Sequence, residues 1–253
     1  MKLLISPAKK MRAEDFLPPR TQPPLLEKSA QLLDYVRGLS LPQLKRLLAC
    51  NESLAQEAFE NFRAMELGRG TTPALLAYDG IQYKYMAPGV FTQAQLEYVG
   101  EHLRILSGFY GVLRPFDGVS PYRLEMQAKV KAPFCKNLYD FWGDSLGEFL
   151  LQEDSVLVNL ASEEYAKAVR PAVAGKGPVC HLCLRRGAGA RQAGGKGRLR
   201  QDGPWGDGAL RRGAQRPIPR GLAGLFPPGL RLRPPALHRG HLPLLPQRPA
   251  QAP

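Results

Sequence analysis

The sequence predicts a mixed α/β fold of the α+β kind, in which one mixed sheet is flanked by helices. Short apolar runs of strand length alternate with segments in which leucines recur at helical spacing, and turn signals separate them. Residues 1–173 are long enough to enclose one hydrophobic core, so they are interpreted as a single domain. Parallel and antiparallel pairing of the strands both stay open.

The first half of the domain is predicted to be one strand followed by helices. Residues 2–5 form a short apolar run that ends at Ser6-Pro7, as expected of a buried strand. Three Ser/Thr-x-x-Gln patterns begin at Ser40, Ser53 and Thr92. They have the form of a capping box, in which the first and fourth residues satisfy each other's backbone amides. Each pattern therefore predicts the start of a helix.

The second half is predicted to mix strands, turns and helices. Residues 103–106 indicate a strand or the end of a helix, and a glycine-bracketed turn follows at residues 107–111. Residues 137–152 are predicted to form one helix, because their large apolar side chains share one side. Residues 155–160 indicate another strand, after which Ser162 is expected to cap a helix.

The composition changes abruptly after Val173. Residues 1–173 hold 20 basic and 20 acidic residues, whereas residues 174–253 hold 15 basic and 2 acidic residues, which is the whole formal excess of +13. Gly, Ala, Arg, Pro and Leu make up 62 of those last 80 residues, and Ser, Thr, Asn, Glu, Tyr and Met do not occur there. We therefore predict that residues 174–253 are either an out-of-frame translation of a GC-rich gene or a disordered basic tail.

The sequence indicates a cytoplasmic protein without a cofactor. No apolar run approaches the ~20 residues that span a bilayer, and the N-terminus lacks a signal-peptide core, so no membrane partner is predicted. Cys180, Cys183, His238 and His241 resemble zinc ligands, but more than fifty residues separate the two halves, which argues against a metal site. The oligomeric state stays open.

The densest polar cluster lies between residues 108 and 125. Two arginine forks and two tyrosine hydroxyls could bind phosphate while two carboxylates orient the arginines; a network of internal salt bridges is the alternative. Lys9 and Lys10 follow the first strand, where two ammonium groups could bind an anion. The predicted residues of this cluster are Tyr110, Arg114 and Arg123 as anion ligands, with Asp117, Tyr122 and Glu125 as the supporting network.

Two more polar residues join the predicted supporting network. Asn159 and Ser162 lie where an apolar strand enters a helix, a place at which α/β folds commonly gather ligands, although Ser162 could be only a helix cap. An enzyme acting on nucleic acid or a nucleotide is the alternative function. Asp117 or Glu125 would then be the general base, and Arg114 or Arg123 would stabilise developing negative charge.

Several motifs resemble those of the bacterial YaaA family of peroxide-stress resistance proteins. They are SGFYGVLRPFD at residues 107–117, PYRLEM at 121–126, LISPAK at 4–9, LYDFWGD at 138–144 and VNLASEEY at 158–165. The resemblance covers residues 1–173. Beyond them the family would continue with strands, a Lys-x-Ala-Arg-Gly-x-Met segment and a late Gly-Tyr region, none of which is visible in this sequence.

This resemblance implies a cytoplasmic protein that binds single- or double-stranded DNA and keeps unincorporated iron low during hydrogen peroxide stress, which limits DNA damage. It also implies a positively charged cleft and an element similar to a helix-hairpin-helix. Residues 108–111 are most similar to such a hairpin, so Gly108 and Gly111 are expected to let backbone amides approach a phosphate. In this hypothesis Lys9, Arg114 and Arg123 contact phosphates.

Overall fold

A computed structural model describes residues 1–14 and 17–174 and the backbone of residues 179–181. The strands are β1 (Lys2–Ile5), β2 (Lys10–Met11), β3 (Thr72–Pro73), β4 (Tyr78–Asp79), β5 (Leu103–Ser107), β6 (Gly111–Leu113), β7 (Gly118–Val119), β8 (Leu157–Asn159) and β9 (Val179–His181). The helices are α1 (Leu26–Arg37), α2 (Leu41–Leu48), α3 (Glu52–Ala64), α4 (Ala74–Ala77), α5 (Ile81–Met86), α6 (Gln93–His102), α7 (Leu138–Trp142), α8 (Ser145–Glu153) and α9 (Glu163–Val173).

The main sheet has the order β6-β5-β1-β8-β9. Its central strand β1 pairs in parallel with β5 and β8, so that Leu4 lies opposite Arg104 on one side and Asn159 on the other. β9 is parallel to β8, and β6 is antiparallel to β5. The mixed sheet with flanking helices is therefore confirmed. Two small antiparallel pairs, β2 with β4 and β3 with β7, lie outside the main sheet.

The hydrophobic core surrounds the central strand. Leu3, Leu4 and Ile5 are all buried, as is typical of a parallel strand that is covered on both faces. Helix α6 contacts β1 and β5, and Ala166 and Val169 of α9 lie beside Leu4. The predicted strand at residues 2–5 is thus confirmed as the centre of the fold.

The capping patterns place two of the three predicted helix starts correctly. Ser40 and Thr92 are N-cap residues, and both form capping boxes with the glutamine three residues later. The prediction for Ser53 is wrong by two residues. Asn51 is the N-cap of α3, because its side chain accepts a hydrogen bond from the Leu54 amide at 2.9 Å. An asparagine oxygen satisfies a helix amide as well as a serine hydroxyl does.

The single helix predicted for residues 137–152 is wrong, because two helices occupy this segment. α7 ends at Trp142, and Gly143 follows with a φ of +49°, a backbone conformation outside the helical region. α8 then begins at Ser145. The apolar side chains still share one side, since Leu138, Trp142 and Leu146 are all fully buried.

Most of the predicted tail lies outside the described residues. This includes Cys183, His238 and His241 of the pattern that resembles zinc ligands. β9 lies just beyond residue 173, where the sequence analysis places the domain boundary. That boundary stays a prediction. Within the described ranges, no helix has the length and apolar character that crossing a membrane requires.

Candidate nucleic-acid interface

The glycine turn at residues 108–111 is part of a β-hairpin. It joins β5 to β6, which are antiparallel, with Ser107 opposite Gly111. Ser107 Oγ accepts a hydrogen bond from the Tyr110 amide at 2.8 Å, and the Gly108 carbonyl accepts one from Trp142 Nε1 at 3.0 Å. Strands, not helices, flank the turn. The prediction of a helix-hairpin-helix-like element at this segment is therefore wrong.

Both glycines of this turn are required by packing. A Cβ on Gly108 would lie 2.4 Å from the Leu124 carbonyl oxygen. Gly111 has a φ of +78°, and a Cβ there would lie 2.8 Å from the Trp142 ring. These positions explain the glycines without an anion, because only hydrogen fits against the neighbouring backbone and ring.

The predicted tyrosines lie inside the fold. The Tyr122 hydroxyl is hydrogen-bonded to the Tyr78 hydroxyl at 2.8 Å and to Ser107 Oγ at 2.6 Å. The Tyr110 hydroxyl accepts a hydrogen bond from the Ser120 amide at 3.2 Å. Burial raises the pKa of Tyr110 to about 12 and the pKa of Tyr122 further. These hydroxyls stay neutral and connect the hairpin to the loop after β7.

Asp117 and Arg114 form a structural network at the end of β6. Asp117 is fully buried, and its two carboxylate oxygens accept hydrogen bonds from Thr21 Oγ1 at 2.6 Å and from the Arg114 amide at 2.7 Å. Burial raises the pKa of this carboxyl group. The Arg114 guanidinium extends to Glu153, with Nε and Oε1 3.6 Å apart. Asp117 thus orders the turn rather than facing solvent.

Lys9, Arg123 and Glu125 come together at the rim of a cleft. Glu125 lies between the two cations, with Lys9 Nζ 2.7 Å from Oε2 and Arg123 Nη2 3.2 Å from Oε1. Lys9 and Arg123 line a cleft of about 230 Å³ between the β1–β2 loop and α3. These ion pairs fit both alternatives drawn from the sequence, an anion site with oriented cations and an internal salt-bridge network.

Lys10 lies at the same cleft but faces a different carboxylate. It is opposite Asp79 in the β2–β4 pair, and its Nζ is 3.3 Å from Asp79 Oδ2. Lys84 lies on the other side of Asp79, 3.4 Å from Oδ1. The hydrogen bond from Lys10, together with the positive charge of Lys84, lowers the pKa of Asp79. Asp79 therefore joins Lys10 and Lys84 in one ion-pair network.

Asn159 and Ser162 lie at the carboxyl end of β8, next to the end of β1. Asn159 is buried, and its side-chain oxygen accepts a hydrogen bond from the Ala161 amide at 3.1 Å. The Ser162 amide donates to Ser6 Oγ at 2.8 Å. Ser162 is the N-cap residue of α9, but its side chain makes no capping hydrogen bond. Ser162 therefore connects the start of α9 to the end of β1, whereas the Asn159 side chain bonds within its own segment.

The predicted site residues thus divide into four groups, one of which is the pair Asn159 and Ser162 at the end of β8. Lys9, Lys10, Tyr122 and Arg123 line one cleft. The hairpin residues lie in the interior, and Arg114 forms a separate network with Asp117 and Glu153. Each predicted cation already faces a carboxylate group: Glu125 for Lys9 and Arg123, Asp79 for Lys10, and Glu153 for Arg114.

The structure also contains a basic surface that the sequence did not reveal. Arg46, Lys129 and Lys131 are exposed and line one shallow cleft of about 320 Å³ with Tyr35 and Gln43. None of the three cations forms an ion pair with a carboxylate group in the part of the chain that the structure describes. We call this set, Arg46, Lys129 and Lys131, the Arg46 surface.

Two hydrogen bonds assemble the Arg46 surface from distant parts of the chain. The Lys129 amide donates to the Leu47 carbonyl in the last turn of α2 at 3.3 Å. The Tyr35 hydroxyl of α1 donates to the Lys131 carbonyl at 2.9 Å. The loop carrying both lysines is therefore held against α1 and α2, and the three charges share one side of the domain.

The helices α2 and α3 form a helical hairpin next to this surface. Three residues, Ala49 to Asn51, connect them, and Ala49 has a left-handed φ of 48°. The sequence signal for this hairpin is the pair of closely spaced capping patterns at Ser40 and Ser53. It predicts two helices but does not show that they pack on each other beside Lys129.

Comparison with known proteins identifies the family. The family model described as "Peroxide stress protein YaaA" matches residues 1–187, which is more than half of the chain. This chain belongs to the YaaA family. The resemblance seen in the sequence motifs is confirmed, and the match continues past residue 173. Membership of this peroxide stress family assigns the protein a general role in the oxidative stress response.

Curated relatives of this chain carry the name UPF0246 protein. One from Desulfitobacterium hafniense is 55% identical over 170 residues, which is 67% of this chain and 68% of the relative. One from Lactiplantibacillus plantarum is 50% identical over 175 residues, which is 69% of this chain and 71% of the relative. A third, from Agathobacter rectalis, is 48% identical over 170 residues, with 67% of this chain and 68% of the relative covered.

Proposed function

We propose that this protein binds DNA, single or double stranded, and that it limits unincorporated iron and DNA damage during peroxide stress in the cytoplasm. The Arg46 surface is the observation that carries the DNA-binding part. Phosphate groups supply most of the affinity in protein–DNA complexes, and they bind to lysine and arginine side chains that release condensed counterions. Membership of the peroxide stress family supports the role in the stress response.

The Arg46 surface is better suited to a DNA backbone than the cations predicted from the sequence. Arg46, Lys129 and Lys131 are exposed and unpaired within the described residues, so a phosphate group can approach them without displacing a carboxylate. Lys9 and Arg123 share the carboxylate of Glu125, which repels an incoming phosphate. The paired cations are therefore expected to contribute less to duplex binding.

The helical hairpin supports the same proposal. α2 carries Arg46, and hydrogen bonds to α2 and α1 anchor the loop that carries Lys129 and Lys131. Fixed cations lose less conformational entropy when they bind the regularly spaced phosphates of a strand. Tyr35 and the 47% exposed Phe134, whose rings lie edge to face at 6.1 Å, add aromatic surface next to the lysines.

A charge-matched pair of variants tests the DNA-binding part. Arg46→Ala/Lys129→Ala/Lys131→Ala removes the Arg46 surface and should weaken duplex binding by about 10- to 100-fold at moderate salt, since about three phosphate contacts are lost. The control is the triple variant Arg69→Ala/Lys84→Ala/Arg170→Ala. It removes the same charge, but from cations outside the Arg46 surface that are paired with carboxylates. Fluorescence anisotropy with a labelled duplex measures both.

Equal affinities of these two variants would contradict the proposal. Such a result would assign duplex binding to cations that both variants retain, which include the 13 arginines of residues 174–253. The iron part is tested separately in peroxide-stressed cells that lack the gene and express either variant. Electron paramagnetic resonance of chelated intracellular iron should show a lower signal with the control variant than without the protein. An unchanged signal would contradict this part.

A second candidate function is an enzyme acting on nucleic acid or a nucleotide. The observation that favours it is Glu125, a partly exposed carboxylate between two cations at a cleft. Glu125 would act as general base, with Arg123 stabilising developing negative charge. Glu125→Gln should abolish product formation while Asp117→Asn, which alters a buried network, should not do so at temperatures where it is folded. No product from any nucleotide or nucleic-acid substrate would reject this candidate.

A further inference from the structure

The cleft at Lys9 has one apolar wall and one cationic end. Leu54, Ala58 and Asn61 share one face of α3 and form the first wall together with the exposed Glu57, and Pro121 lines the opposite segment. Lys9, Lys10 and Arg123 lie at the other end. Its volume of about 230 Å³ is below that of common drug-sized ligand pockets, which hold about 300–1,000 Å³. A duplex cannot enter a space of this size, whereas a single planar ring with one phosphate group can.

The cationic end has an unused hydrogen-bond donor. Arg123 Nε is buried without a hydrogen-bond partner, and it is the one buried side-chain nitrogen or oxygen of this kind in the described part of the chain. Buried polar groups are nearly always satisfied, so such a donor requires an explanation. Lys9, Lys10 and Arg123 outnumber the carboxylates of Glu57 and Glu125 by one positive charge. Because Nε itself is closed to solvent, an anion in the cleft would bind through the Lys9 ammonium group and the accessible part of the Arg123 side chain.

The opposite wall has groups that suit a nucleobase. Leu54, Ala58 and Pro121 give apolar contact against which a base ring can bury its surface. Asn61 is half-buried on the same wall, and its side-chain amide offers one acceptor and two donors. An amide of this kind can form two hydrogen bonds with a base edge.

We propose that this cleft binds one unstacked nucleotide, with its phosphate group at Lys9 and Arg123 and its base against α3. The nucleotide is either free or an unpaired residue of a DNA strand; in the second case the inference rests on the proposed DNA binding. α3 separates the cleft from α2, which carries Arg46.

The first arm of the test uses a free nucleotide. Isothermal titration of the full chain with adenosine monophosphate, and separately with inorganic phosphate and with adenosine, should show the tightest binding for the monophosphate. Lys9→Ala and Asn61→Leu should each weaken this binding by about tenfold, the scale expected for losing one charge-assisted or bidentate contact. Arg69→Ala, which removes an exposed cation that is paired with Glu66 elsewhere, should leave it unchanged.

The second arm compares a fully paired duplex with one that carries a single unpaired nucleotide. The unpaired nucleotide should improve affinity, and Lys9→Ala should remove this preference while keeping the affinity for the paired duplex. If the protein binds the monophosphate but does not prefer the duplex with an unpaired nucleotide, the cleft is assigned to free nucleotides. If the protein neither binds the monophosphate nor prefers the duplex with an unpaired nucleotide, the inference is overturned.

The failure of this inference is distinguishable from the failure of the proposed DNA binding. If the cleft is wrong and DNA binding is right, the variant without the Arg46 surface loses duplex affinity and Lys9→Ala changes nothing. If DNA binding is wrong, no variant alters duplex affinity, whereas the monophosphate titration still reports on the cleft. Circular dichroism of each variant establishes that a loss of binding is not a loss of folding.

Discussion

Replacing Gly108 by alanine separates two explanations for this glycine. The sequence suggested that it lets a backbone amide approach a phosphate, whereas the structure packs it against residues 124–126. The new Cβ would lie 2.4 Å from the Leu124 carbonyl oxygen and 2.9 Å from the Glu125 carbonyl carbon. Real Cβ atoms essentially never come closer than 3.0 Å, so the buried backbone at Leu124 must move by at least 0.6 Å, from 2.4 to 3.0 Å.

Such a shift costs about 2 kcal/mol, the middle of the range for overpacked cores. In a domain of this size the melting temperature should then fall by about 4–8 °C. Gly89→Ala is the matched control, because no atom lies within 4 Å of the new methyl group, and its stability should change by under about 0.5 kcal/mol. Urea unfolding followed by circular dichroism measures both free energies of unfolding.

Affinity for DNA provides the second readout of Gly108→Ala. Measured well below the melting temperature, duplex affinity should stay within about twofold of the unmodified protein, because this hairpin is buried. A variant that is as stable as Gly89→Ala but has lost its affinity for DNA would refute the packing explanation. The phosphate contact suggested by the sequence would then stand.

Two further predictions concern buried polar groups. Glu153→Gln should destabilise the fold by about 3 kcal/mol, because Arg104 is 4% exposed and would lose its bidentate partner at 2.6 and 3.0 Å. The control Glu52→Gln, at the exposed pair with Lys45, should cost under about 1 kcal/mol. Equal losses of unfolding free energy in chemical denaturation would contradict this prediction. Stability should also fall above pH 10. The unfolded Tyr110 ionises there while its native pKa of about 12 keeps it neutral, so its contribution is complete below pH 10 and is lost between pH 10 and 12, at about 1.4 kcal/mol per pH unit. Urea titrations at alkaline pH that show no such loss would contradict the burial of this hydroxyl.

The parts of the fold that depend on local chemistry could be predicted from the sequence. The apolar run at residues 2–5 and the capping boxes at Ser40 and Thr92 carry their own structural signal, and each lies where expected. The division between α7 and α8 could not be predicted, because Gly143 is tolerated within a helix and only the packing of both segments selects its positive φ. The prediction of a helix-hairpin-helix-like element at residues 108–111 was wrong for the same reason, since packing against the rest of the fold selects the β-hairpin.

The candidate site was harder to predict, because charge in a sequence does not show how each cation is paired. Lys9, Arg114 and Arg123 stood out as arginines and lysines within dense motifs, but each faces a carboxylate in the fold. Arg46 and Lys129 are far apart in the chain, and a single backbone hydrogen bond from Lys129 to Leu47 joins their segments. No local pattern records that contact.

The salt dependence of duplex binding tests the central claim most directly, which is that the Arg46 surface binds the DNA backbone. The logarithm of the affinity falls linearly with the logarithm of the salt concentration. The slope has a magnitude of about 0.9 for each phosphate contact, so it counts these contacts. The Arg46→Ala/Lys129→Ala/Lys131→Ala variant should have a slope smaller by about 2 to 3 than the unmodified protein, and Lys9→Ala/Lys10→Ala/Arg123→Ala should change it by less than about 1 on a fully paired duplex. A slope that falls only in the second variant would contradict the claim.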